Sequence, residues 1–234
     1  MRISQQGKLY QMSFMPNLFP VNCYFVEEED SLTLIDAALP YSAKAILNTA
    51  NQIGKPIKRM IITHAHGDHV GALDELKQTL KDVPVYISER DARLLEGDRS
   101  LRSNEPQTPI KGGVPKKLKT KADVLLKDGD KVGSLLAIST PGHTPGSMSF
   151  FDIRTKAIIA GDAFQTRGGI AVSGHLRPMF PFPAMATWNK NVALDSAKKI
   201  RELKPTLLAV GHGNLLKNPI NDISKAIEEV EKNL

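Results

Sequence analysis

The chain has 234 residues, of which 41% are hydrophobic and 24% charged, and its 31 Lys and Arg outnumber 25 Asp and Glu for a net charge of +6. That length buries a full core in a single domain, residues 1–234, and the composition excludes a disordered or fibrous chain. Cys23 as the one cysteine excludes an intramolecular disulfide and a zinc–thiolate cluster, and no run approaches the about 18 apolar residues of a membrane span, so a cytoplasmic protein with no membrane partner is expected.

KLYQMSF, NCYFVEEE and SLTLIDAA read as strands, the last two as an antiparallel pair across a polar turn. Ser42 is placed to cap a helix that carries Ala43, Ile46, Leu47 and Ala50 on one face and stops at Gly54. KRMIITH is a strand, and GALDELKQTL repeats Leu73, Leu76 and Leu80 at helical spacing, so THAHGDHV falls on a strand-to-helix turn. After the strand PVYIS, the polar segment 97–123, with its prolines and Gly112–Gly113, reads as a long flap or mobile loop. VLL, KVGSLLAIST, SMSFFDI and KAIIAGDA are strands, and TRGGIAVSGHLRPMFPFPAMA is irregular. A helix with Ala193, Ala197, Ile200 and Leu203 ends at Pro205, TLLAVGH is a strand, and NDISKAIEEVEKNL is a helix burying Ile223, Ala226, Ile227 and Val230.

The motif THAHGDHV places three of the six histidines and an aspartate between His64 and His69. Side chains alternate along a strand, so His64 and His66 can point to one side and share an ion. Gly67 is expected to turn the chain sharply, after which Asp68 and His69 emerge at the start of a helix to serve a neighbouring ion. Further ligands stand beside glycines at three strand ends: His143 in STPGHTPGS, Asp162 in IIAGDAF and His212 in AVGHGN. Neutral imidazole and carboxylate suit zinc, with iron and manganese as alternatives.

In order and spacing, HAHGDH, TPGHTPGS, GDA and GHG resemble the metallo-β-lactamase superfamily over almost the whole chain. The resemblance implies an α/β fold, an αββα sandwich of two mixed β-sheets flanked by helices. It implies two divalent metal ions, Zn2+ with Mn2+ or Fe2+ as alternatives. His64, His66 and His143 would hold one, Asp68, His69 and His212 the other, and Asp162 would bridge them. Asp36, in LIDAA, matches an acid that buttresses the ligands in many relatives. Two such ions make hydroxide available near neutral pH, and Asp68 can accept or return a proton.

The expected activity is hydrolysis of a small ester, lactone or thioester by a metal-bridging hydroxide. Phe164, His175, Arg177 and Phe182, in the stretch after Asp162, are candidates for the substrate pocket. Quorum-signal lactonases resemble the chain in ligands and size, but they commonly carry a tyrosine where it has Gln165. Glyoxalase II-like thioesterases carry a helical domain after the last histidine, whereas 22 residues follow His212 here. An alternative is a mononuclear iron enzyme resembling persulfide dioxygenases, with iron on His64, His143 and Asp162. A nucleic-acid phosphoesterase ranks third. The segment 97–123 holds seven basic residues against three acids but no aromatics to stack on bases, so the expected partner is a small-molecule substrate rather than nucleic acid. The oligomeric state is left open.

Overall fold

The computed structural model describes residues 1–116 and 118–232; Lys117, within the basic run, and Asn233 and Leu234, at the end of the C-terminal helical motif, lie outside the described residues. Its chain segments gather into two units, Met1–Gly97 with Gly113–Leu126, and Asp98–Gly112 with Lys127–Leu234.

In the first unit, β1 (Arg2–Gln6), β2 (Leu9–Phe14), β3 (Val21–Glu27) and β4 (Leu32–Ile35) form an antiparallel meander. The pair expected from NCYFVEEE and SLTLIDAA is β3–β4, with Tyr24 opposite Ile35. α1 (Ala43–Ile53) carries the chain to β5 (Ile57–Ile61), which joins β4 in parallel. α2 (Gly67–Val70) and α3 (Leu73–Thr79) then lead to β6 (Val85–Ser88), and α4 (Glu89–Leu95) precedes the edge strand β7 (Val124–Leu126). Parallel neighbours require such crossovers, and the buried Ile46, Leu73 and Leu76 are the helix residues that the spacing marked.

Two local outcomes differ from the sequence reading. Ser42 itself adopts helical angles, φ −83° and ψ −19°, so its hydroxyl accepts the Leu39 N–H at 3.2 Å and does not cap α1. The helix α4 was not expected; Ser88 caps it by accepting the Asp91 N–H at 2.9 Å, and its buried Arg90 and Asp91 conceal the apolar period. The segment 97–123 has neither helix nor strand among its described residues, yet it is tied down. In the first unit Asp74 accepts the Lys119 and Thr120 N–H groups, at 3.0 and 2.8 Å.

The second unit holds a six-stranded mixed sheet ordered β15-β14-β11-β10-β9-β8. Its strands are β8 (Lys131–Val132), β9 (Leu135–Ser139), β10 (Met148–Asp152), β11 (Ala157–Ile159), β14 (Leu207–Ala209) and β15 (Leu216–Lys217). Only β11–β14 is parallel, and α6 (Lys190–Glu202) intervenes between them in the chain. The stretch read as irregular contains a ribbon of β12 (Phe164–Gln165) and β13 (Ala171–Val172), and the short helix α5 (Phe182–Ala186). α7 (Ile220–Glu231) and α6 enclose a core with Ile158, Phe164, Val172, Ala197, Ile200, Leu208 and Ile227. Asn189 caps α6, accepting N–H bonds from Asn191 and Val192 at 3.1 Å each.

Candidate metal centre

Within the first unit the histidine motif leaves β5, bends at Thr63 and enters α2 from an extended His66. Asp36, just past β4, has φ of 62°, and it is buried. Its Oδ1 accepts the Thr63 N–H at 2.8 Å, while Oδ2 meets the Thr63 hydroxyl and His69 Nδ1, each at 2.8 Å. A carboxylate at Nδ1 holds the proton there, which makes Nε2 of His69 the lone-pair nitrogen. Thr63 Oγ1 also lies 3.0 Å from His64 Nδ1, so one aspartate and one threonine orient two imidazoles.

His64, His66 and His69 are all buried. The His64 ring stands 4.9 Å from that of His66 and 4.0 Å from that of His69, centre to centre. Potential ligand atoms of His64 and His66, of His64 and His69, and of Asp68 and His69 lie within 4.8 Å of each other. Asp68 is half-buried in the first turn of α2. Gly67 is explained by a close approach and not by an unusual turn: its φ is not positive, its N–H donates to the Gly113 carbonyl at 2.8 Å, and an added Cβ would lie 3.2 Å from that oxygen.

The second unit converges on Asp162, in the single 3-10 turn Gly161–Ala163 after β11. Its Oδ2 is 3.3 Å from His143 Nε2 and 3.1 Å from His212 Nε2, and all three residues are buried. His143 Nδ1 lies 3.0 Å from Ser173 Oγ and 3.2 Å from Thr187 Oγ1, which orients the ring with Nε2 toward Asp162. Nothing in the spacing of the sequence marks Ser173 or Thr187, because they meet His143 only through the fold. Gly142, at φ 134°, lets this loop approach α6; a Cβ there would sit 2.4 Å from the Ala193 main chain.

The four residues expected to line a substrate pocket have separate placements. Phe164 is fully buried in the α6–α7 core, where strand alternation turns it with Val172 into the hydrophobic cluster. Arg177 Nη2 lies 2.6 Å from Glu229 Oε2 on α7, and His175 Nε2 is 3.8 Å from the same oxygen. Burial holds the His175 pKa below the ordinary histidine value, the Arg177 guanidinium lowers it further, and Glu229 opposes both. Phe182 is 52% exposed and stacks edgewise on Phe180, whose ring lies 5.5 Å from that of His212.

The donors in both units fit divalent cations. They are imidazole nitrogens and carboxylate oxygens, buried except at half-buried Asp68, with the other ring nitrogen of His69 and His143 already engaged. The family model described as the metallo-beta-lactamase superfamily matches residues 16–212. The chain belongs to the metallo-β-lactamase superfamily. It is 59% identical to YobT of Bacillus subtilis (strain 168) over 99% of this chain and 100% of YobT. It is 33% identical to the probable metallo-hydrolase YflN of the same organism, over 82% of this chain and 80% of YflN. The solved structure of TTHA1623 in a di-iron-bound form is 25% identical, with a TM-score of 0.66, and the match covers 90% of this chain and 96% of that one. The mixed sheets and flanking helices are the metallo-β-lactamase fold, and the protein is a metal-dependent hydrolase.

Proposed function

We propose that this superfamily member hydrolyses a small ester, lactone or thioester with two divalent ions, most simply zinc. His64, His66 and His143 serve one ion, Asp68, His69 and His212 the other, and Asp162 serves both. The observation that carries this reading is the convergence of His143 and His212 on one buried oxygen of Asp162. When bound, such a pair of ions lowers the pKa of water toward neutrality and polarises a carbonyl. The chain's own part is preorganisation. Asp36 fixes the proton of His69 on Nδ1, Ser173 and Thr187 fix the His143 ring, and half-buried Asp68 accepts the proton from the attacking water and returns it to the leaving oxygen or sulfur. The description of TTHA1623 as di-iron-bound supports iron as the alternative metal.

The test is a panel of small esters, lactones and thioesters assayed with the metal-loaded protein and with Asp162→Ala and His143→Ala. Loss of at least 100-fold in kcat/KM, on the order of removing one well-placed catalytic group, is expected for both variants. Full activity in either variant on a turned-over substrate overturns the assignment.

A further inference from the structure

The run from Thr63 to Gly67, which leads from β5 to the first residue of α2, has its alternate main-chain N–H groups tied from three different places. Thr63 donates to Asp36 Oδ1 at 2.8 Å, Ala65 to Asp91 Oδ2 at 3.0 Å, and Gly67 to the Gly113 carbonyl at 2.8 Å. Between these anchors stand His64 and His66. The Ile62 N–H still bonds to the Tyr86 carbonyl of β6 at 2.8 Å, and from Thr63 onward two carboxylates and a loop carbonyl take the place of a ladder partner.

Asp91 is the middle anchor and the only one acting between the two histidines. It lies in α4 and is fully buried. Its own N–H is held by Ser88 Oγ at 2.9 Å, so the carboxylate is carried on a capped helix start and not on a flexible arm. The Ala65–Asp91 bond is of ordinary length at 3.0 Å, and fixing Ala65 fixes the peptide planes from which both neighbouring imidazoles project.

We propose that Asp91 is a positioning residue of the metal centre, holding the Ala65 amide so that His64 and His66 meet one ion together. The proposal rests on the metal-site reading above. Partners one step removed from the metal typically govern about 10- to 100-fold in its affinity, and that is the size of effect expected here.

The experiment compares wild type, Asp91→Asn and Asp91→Ala. Zinc dissociation constants are measured by competition with a chromophoric chelator, and Ala65 amide exchange by NMR or mass spectrometry on the chelated protein. Asparagine retains an acceptor for the Ala65 N–H, so Asp91→Asn should keep the amide protected and bind zinc within about tenfold of wild type. Asp91→Ala should expose the amide and weaken the tighter zinc site by about 10- to 100-fold. The visible absorption of the cobalt-substituted Asp91→Ala protein should also shift, which a loss of stability alone does not produce. Where Asp91→Ala fails to fold, Asp91→Asn and Asp91→Ser carry the comparison, with serine expected to lose the bond to Ala65. Unchanged zinc affinity and cobalt spectrum with an exposed Ala65 amide would overturn the positioning role. So would an Ala65 amide equally protected in all variants. Absence of zinc binding by wild type would instead overturn the metal-site reading, with the amide exchange still reporting on Asp91.

Discussion

Replacing Asp36 tests how the fold sets the chemistry of a ligand. Asp36→Ala leaves three buried donors facing its carboxylate without their acceptor: the Thr63 N–H, the Thr63 hydroxyl and His69 Nδ1–H. Each unsatisfied buried donor costs about 1–3 kcal/mol, and the relief of no longer burying a carboxylate offsets part of the sum. The net cost is about 3–5 kcal/mol, comparable to breaking a buried ion pair. For a chain of this length each kcal/mol lowers Tm by about 2–4 °C, so Tm should fall by roughly 10 °C. Asp36→Asn separates stability from tautomer. Its Oδ1 still accepts the Thr63 N–H, but a carboxamide nitrogen facing His69 donates to Nδ1, which drives the ring proton onto Nε2 and withdraws the lone pair. Asp36→Asn should therefore keep most of its stability while its affinity for the second ion falls about 10- to 100-fold. The assays are thermal denaturation of the chelated protein and isothermal titration with zinc. Asp36→Asn with wild-type affinity at both sites, or Asp36→Ala with unchanged Tm, would refute the reasoning.

Gly142→Ala should prevent accumulation of folded protein, or lower stability by more than about 3 kcal/mol as seen in denaturant unfolding, because its Cβ would lie 2.4 Å from the Ala193 main chain at φ 134°. His175 predicts a pH effect. Its folded pKa lies below the unfolded value near 6.5, so the unfolded chain takes up the proton first, and stability falls as pH drops below about 6.5 until the folded pKa is passed. His175→Gln should flatten that slope between pH 6.5 and 5 in urea titrations, and an unaltered slope would show that the ring carries no such linkage.

Legibility in the sequence followed the range of the interactions. Helical spacing exposed α1, α6 and α7 because each shows one apolar stripe to a core; Ile46, Ala197 and Ile227 are buried as the spacing requires. The helix α4 escaped because its buried positions include Arg90 and Asp91, which a hydrophobic period cannot register. The glycine-flanked histidines and aspartates were visible as motifs, since each stands where a strand ends. The groups that orient them were not, with the exception of Asp36. Ser173 and Thr187 lie 30 and 44 residues from His143, and Asp91 lies 26 from Ala65, so only tertiary folding brings them together. The burial of Phe164 is of the same kind: its place two residues after Asp162 is visible in the sequence, while the pleat of β12 that turns it into the core is not.

The central claim is a two-ion hydrolytic centre, and metal analysis of untagged protein addresses it most directly. The protein should be purified without chelators from medium supplied with zinc, manganese and iron, and analysed by plasma mass spectrometry against a quantitative amino-acid determination. The expected result is about two divalent ions per chain, as the ligand types and two-metal hydrolysis require, falling to about one or fewer in Asp162→Ala. A single tightly held iron per chain, unaffected by loss of His212, would contradict the two-ion centre and direct the next assay to oxygen consumption.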